Sequence, residues 1–201
     1  MSVTQSIEDL RASRDLCVAL LRTVSDRDWS ETVPDLDMDV AHLVAHISQT
    51  GYWYSIDLTA GGDDVTAVVP QVDAAASPDD LIMSIHVGGD LLAAAVAGAP
   101  EESRGFHPYG QADPSGFAAM ACDEMLIHSH DIARAYDVDF EPPAELADRV
   151  VKRLFPWIAG DQDPWTLLQF ANGRIALAGE PRREKWRWHC APLSEWDGTI
   201  P

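Results

Sequence analysis

The chain has 201 residues, with 14 basic side chains against 33 acidic ones, and a formal net charge of −19. That balance excludes a protein whose main partner is nucleic acid or anionic lipid, because phosphate binding needs a basic face. A hydrophobic fraction of 46% with 23% charged residues excludes wholesale disorder and leaves one domain with a substantial core.

Five segments carry helical periodicity. The first runs from about Thr4 to Val24, with Ile7, Leu10, Leu16, Cys17, Leu20 and Leu21 on one side. The second begins at Asp37 or Asp39, either a fitting cap, and runs to about Thr59 through Val40, Leu43, Val44, Ile47 and Tyr54. Ser77-Pro78-Asp79-Asp80 opens a third that ends near Ala97, before Gly98 and Pro100. A Gly/Pro-rich loop over 99–113 leads to a fourth, Pro114 to Tyr136. A fifth is expected from Pro142 or Pro143 to Ala159. Beyond it, Pro164–Ala171 reads as a short helix. Arg174–Ala178 and Lys185–His189 alternate as the two strands of a small hairpin. The pattern predicts an all-α helical bundle over residues 1–160, with a Trp/Arg-rich C-terminal extension over 161–201 packed on it as part of one domain.

Charge is uneven. Residues 31–148 hold 22 acidic side chains and two basic ones, Arg104 and Arg134. Cys17, Cys122 and Cys190 are far apart and odd in number, which fits buried thiols in a reducing cytoplasm better than a disulfide scaffold. No uninterrupted apolar run of about 18 residues is present, so no membrane span is expected. The N-terminal MSVTQSIEDLRASRD has no basic stretch followed by an apolar run, so no signal peptide is expected.

The fourth helix, PSGFAAMACDEMLIHSHDIARAY, is the informative one. Stepping by three and four from Phe117 gives Ala121, Glu124, His128 and Ile132, which puts Glu124 and His128 in the core-facing stripe. A buried carboxylate is costly unless compensated, and a divalent cation held by a carboxylate and an imidazole one turn apart compensates it well. A third ligand must come from another helix, and His46 near the middle of the second is the best placed. Two His and one Glu leave open positions on zinc or a similar ion, the pattern of a catalytic site. Alternatives stand beside this reading. Glu124 pairs with Arg134, or His42 with His46 forms a rival ligand pair, or His46 is a satisfied core histidine. Asp131, three residues after His128, is an acceptor for its other ring nitrogen or a surface acid. His130 points away from His128, toward solvent or a neighbour's edge. His86, His107 and His189 lack ligand spacing, although the loop holding His107 can approach the site. Arg182, Arg183 and Arg187 are contacts for carboxylates or a solvated cluster.

Two stretches, DLDMDVAHLVAHISQTGYWY and DEMLIHSHDIARAYDVDFEPP, resemble the DinB-like metal-binding bundles, in particular the branch of the mycothiol-dependent maleylpyruvate isomerase N-terminal domain. The resemblance covers roughly residues 5–160. It implies a DinB-like four-helix bundle binding one divalent metal, usually zinc, through His46, Glu124 and His128. It also implies a low-molecular-weight thiol as cosubstrate, mycothiol in actinobacteria, with isomerase or S-transferase chemistry on a small electrophile. The 40 or so residues after position 160 are too few for the isomerase's larger C-terminal domain, so the resemblance does not carry that enzyme's substrate over to this chain. Three functions follow as expectations: a metal-dependent thiol transferase or isomerase; a thiol-independent metal-dependent hydrolase, cyclase or lyase; and a non-catalytic metal-stabilised bundle. A small-molecule substrate, a thiol and a homodimer through a helix face are the expected partners, with neither nucleic acid nor membrane.

Overall fold

Four capped helices build the body of the molecule, described over residues 2–200 by a computed structural model. Helix α1, Val3–Thr23, starts where Ser2 Oγ accepts the Gln5 N–H at 3.2 Å. Helix α2, Val40–Ala60, takes Asp39 as its cap: Asp39 Oδ1 accepts the His42 N–H at 2.8 Å. Helix α3, Pro78–Gly98, starts at Ser77 with Pro78 in its first turn, where the missing N–H costs nothing. Helix α4, Pro114–Tyr136, uses Asp113 and Pro114 in the same way, and ends at Asp137 in the left-handed conformation. Both α1 and α2 pack against α3 and α4, which gives an all-α, DinB-like four-helix bundle.

The α2–α3 contact is tight. A Cβ built on Gly51 would lie 2.8 Å from the Gly88 carbonyl carbon, so the two backbones touch at a spot where any side chain would part them. Helix α3 is long and apolar enough by composition to cross a membrane, although His86 and Asp90 interrupt its apolar run. Here its Leu81, Ile85, Leu92 and Val96 are buried in the bundle, while Met83, Val87 and Leu91 form an exposed apolar stripe.

Helix α5, Ala144–Leu154, packs on α4 and on α6, Pro164–Ala171. It stops five residues before the expected Ala159. Pro156 disfavours helical geometry at Phe155, which sits at φ −129° and ψ 59°. Sheet structure also differs from expectation. The described ladder is β1, Gly105–His107, antiparallel to β2, Gly110–Ala112, inside the segment read as a loop. The hairpin expected from 174–178 and 185–189 does not form; an isolated bridge joins Leu177 and Glu180 instead. The intended strands are engaged elsewhere: the Arg174 N–H donates to the Gln169 carbonyl and the His189 N–H to the Leu154 carbonyl, each at 2.8 Å.

Helix α4 is the axis of the molecule. Of its 23 residues 18 are buried, so it has no solvent stripe and its polar side chains must find partners inside. The tail covers the side that α1–α3 leave open, bringing Trp188 and Cys190 into the core. Arg153, itself buried, fixes that cover. It pairs with Asp113, donates to Ser115 Oγ at 2.9 Å, and donates to the carbonyls of His189 and Cys190 at 3.1 and 3.0 Å.

Candidate metal centre

Helix α4 presents Glu124 and His128 one turn apart, and α2 presents His46 across from them. Glu124 Oε2 lies 3.0 Å from His128 Nε2 and 3.2 Å from His46 Nε2. The three potential ligand atoms all fall within 4.8 Å of one another. A tetrahedral zinc site with bonds of about 2.0–2.1 Å has edges of roughly 3.4 Å, so the spacing suits such an ion after a small adjustment. Glu124 and His128 are largely buried, whereas the His46 side chain is 45% exposed and opens the cluster to solvent.

The ring of His128 is held from behind. Asp131 is 1% exposed, and Arg174 donates to it from Nε (2.9 Å to Oδ1) and Nη2 (2.6 Å to Oδ2). Burial works against ionising Asp131, but the hydrogen bonds and charges of His128 and Arg174 prevail and bring it down to about 2. An ionised Asp131 can only accept, so the proton of His128 sits on Nδ1, 3.0 Å from Asp131 Oδ2. Nε2 is thereby turned toward Glu124. Nothing but a proton or a cation reconciles that nitrogen with a carboxylate oxygen at 3.0 Å. In the absence of an ion the proton takes the place. Burial disfavours charging His128, yet Asp131 and Glu124 overcome it and raise the ring to about 9. Glu124 is pushed up by burial but held well below the usual carboxylate range by His128 and His46. This exchange of a proton for a metal is how such sites couple ligand protonation to binding.

A cleft of about 390 Å³ opens beside the cluster. Its walls are Trp53 and Tyr54 from α2, His107 and Tyr109 from the β1–β2 turn, and Trp186 and Trp188 from the tail, with Asp57 near the mouth. The hairpin reaches this position because Gly105 has no side chain: a Cβ there would stand 2.7 Å from the Asp57 carbonyl oxygen and 2.6 Å from the Phe117 ring. The rings meet in a chain, His107 edge-on to Tyr54 and Tyr109 and tilted to Trp188, and Trp188 edge-on to Trp186, at 5.2–6.0 Å. Burial lowers His107 to about 4 against the pull of Glu124, so the ring is neutral at pH 7. Burial and the charge of Glu124 raise Tyr54 well above its usual value, which keeps it a phenol with an O–H to donate.

Behind the cluster a second buried acid, Asp123, accepts from Asn172 Nδ2 at 2.8 Å and from Trp188 Nε1 at 2.7 Å. Burial raises it to about 7 despite these bonds. A Trp188→Phe substitution keeps an aromatic ring, deletes one of the two donors and removes part of the buried volume. It is expected to cost about 1–3 kcal/mol in denaturant unfolding; a loss under 0.5 kcal/mol would remove this bond from the set that holds the tail down.

The other histidines lie elsewhere. His42 is exposed and meets Asp39 at 2.7 Å. His130 stands edge-on to Trp165 at 5.5 Å. His86 lies 3.5 Å from Asp90, and His189 faces the Pro192 carbonyl. Arg134 pairs with Asp35 and not with Glu124. Arg182 joins Asp35 at 3.6 Å, Arg183 lies over the Phe170 ring, and Arg187 is exposed. All three cysteines are buried, and none lines the cleft. Sequence reasoning missed Arg174, Asp123, Trp186 and Trp188 as parts of the site. The signal for Asp123 was present: an acid on a helix apolar all round has no solvent face to occupy.

A family model described as Mycothiol maleylpyruvate isomerase N-terminal domain matches residues 10–133. The match takes in His46, Glu124, His128 and Asp131 and ends before Arg174 and the tail tryptophans. No curated protein and no solved structure matches the chain.

Proposed function

The chain belongs to the mycothiol maleylpyruvate isomerase N-terminal domain family, and we propose that it is a metal-dependent enzyme using a low-molecular-weight thiol on a small electrophilic substrate. The observation that carries this reading is the convergence of two imidazoles and one carboxylate, with their ligand atoms within 4.8 Å, at the wall of a cleft. The donor set suits zinc: three protein ligands of nitrogen and oxygen type, with room for one more from the cleft. When bound, zinc would lower the pKa of a coordinated thiol and present it as a thiolate without redox risk.

The protein's own residues divide the remaining work. Arg174 and Asp131 fix the tautomer and plane of His128, so that Nε2 is the free ligand atom. Glu124 supplies the negative charge, and His46 closes the set from the solvent side. The aromatic walls give the space beside the reacting groups an apolar lining. The Tyr54 hydroxyl is a donor for a substrate oxygen that gains charge on thiolate addition. A thiol from outside is needed because burial raises Cys17 to about 11 and Cys122 to about 12, which leaves both inert as nucleophiles. Room for a larger thiol exists next door. Gln49 lines both the cleft and an open groove of about 900 Å³ that includes Arg27, Trp29, His42 and residues 71–76. The reaction we propose is addition to a conjugated double bond followed by elimination, or displacement of a leaving group.

Elemental analysis of the purified chain, beside Glu124→Ala and His128→Ala, tests the site. Near-stoichiometric zinc in the parent and none in either variant is the expected result, with turnover that needs added thiol. Metal absent from the parent after reconstitution would reduce the cluster to a buried ion pair and end the enzyme reading. Metal-dependent turnover without thiol would move the function to a hydrolase, cyclase or lyase.

A further inference from the structure

We propose that the cleft selects organic cations with a flat, apolar body, and that Asp57 is the residue that reads their charge. This names a substrate class for the site above and rests on that reading.

The argument starts from what lines the cleft. Trp53, Tyr54, Tyr109, Trp186 and Trp188 turn aromatic surface toward it, and among the described residues no lysine or arginine lines it. Aromatic faces attract cations through their quadrupole and give an anion nothing in return. His107 does not change this balance. Its Nδ1 accepts the Tyr109 N–H at 3.2 Å and its ring is neutral at pH 7.

Two carboxylates reach the cleft, and they are in different situations. Glu124 is engaged by His46 and His128. Asp57 is half-buried and has no side-chain hydrogen bond or ion pair among the described residues, so its charge is available to a ligand. Burial and the charge of Asp64 raise it to about 6, which leaves it largely ionised at pH 7. A divalent ion held by the cluster would not reverse the sign of the site once a thiolate joined it: its charge and that of Arg174 would be balanced by Glu124, Asp131 and the thiolate, leaving Asp57 as the uncompensated group.

The wider field points the same way. Helix α2, the hairpin and α4 belong to the segment 31–148, with 22 acidic and two basic side chains. Both basic ones are engaged: Arg104 by Glu195 at 2.7 Å and Arg134 by Asp35 at 3.0 Å. On the α2 and hairpin side the field therefore favours cations, whereas the tail wall brings the exposed Lys185 and Arg187 beside Trp186 and Trp188, so Asp57 and the aromatic faces must supply the selection.

Binding of three probes to the zinc-loaded chain with saturating 2-mercaptoethanol, which supplies the thiolate for the open zinc position, followed by tryptophan fluorescence and calorimetry, tests the proposal: benzyltrimethylammonium, benzyl alcohol and phthalate. The cation is expected to bind at least tenfold more tightly than the alcohol, and phthalate more weakly than either. Asp57→Asn is expected to lower the cation to the affinity of the alcohol, with the alcohol itself unchanged, which also reports that the cleft is intact. Phthalate binding as tightly as the cation would overturn the proposal, as would a cation preference that survives Asp57→Asn. Zinc content of the same samples separates this inference from the one beneath it. A chain without zinc that still prefers the cation loses the metal reaction and keeps the selectivity. A zinc-loaded chain that prefers phthalate keeps the reaction and loses the selectivity.

Discussion

Arg174→Ala is expected to destabilise the chain by about 3–5 kcal/mol, the cost of leaving a buried charge without its partner. Asp131 is 1% exposed and Arg174 10%, so water cannot take over the role of the guanidinium. The same substitution frees the ring of His128 to rotate, and zinc affinity is expected to fall about 10–100-fold, as when an orienting group behind a metal ligand is lost. The two effects separate in the double variant Arg174→Ala/Asp131→Asn. Removing the charge along with its partner returns much of the stability, whereas the weakened metal binding stays. Urea unfolding and a competitive zinc titration measure them. A stability loss below 1 kcal/mol in the single variant would mean that Asp131 is satisfied from elsewhere.

A second large effect is a pH dependence that metal erases. His128 stands at about 9 in the folded chain against 6.5 ordinarily. The stability it contributes is therefore fully present below pH 6.5 and lost as pH rises through 9. Its size is on the order of 3 kcal/mol. Glu124, held below its ordinary 4.5, describes the same contact from the other partner and is not counted again; it sets the acid limit, with stability lost as pH falls below that value. Metal-free chain is thus expected to melt at steadily lower temperature from pH 6.5 to 9.5. In the zinc-saturated chain the ion replaces the shared proton, and that decline is absent. Asp123, raised to about 7, tilts both curves alike, so the difference between them isolates the cluster. Parallel curves with and without zinc would show that the metal does not sit between His128 and Glu124.

The bundle and the three convergent residues were legible in the sequence for a simple reason. Helical caps are local, and Glu124 and His128 share one face by spacing alone. Ser77-Pro78, Asp113-Pro114 and Asp163-Pro164 announce three helix starts within two residues each. The early end of α5 at Leu154 was equally local, since Pro156 marks it. What spacing cannot give is the path of the tail. Arg174 reaches Asp131 across 43 residues and Trp188 reaches Asp123 across 65. The alternation of 174–178 and 185–189 reads as a hairpin, whereas the backbone N–H groups of Arg174 and His189 pair with carbonyls at the ends of α6 and α5. The β1–β2 hairpin is three residues a side, too short for periodicity to reveal, although the Pro108-Tyr109-Gly110 turn marks its tip.

The order in which these parts are made has a consequence for the living cell. His46, Glu124 and His128 are synthesised before Arg174 and Trp188, so the emerging bundle carries Asp123 without the two donors it has in the folded chain and Asp131 without its guanidinium partner. The nascent chain then owns every candidate ligand but lacks the guanidinium that holds His128 from behind through Asp131. A chain cut ahead of Arg174 is expected to unfold at lower denaturant than the full one, because Asp123 and Asp131 lose partners there. The final segment thus completes the setting of the three candidate ligands, all of which precede it in the sequence.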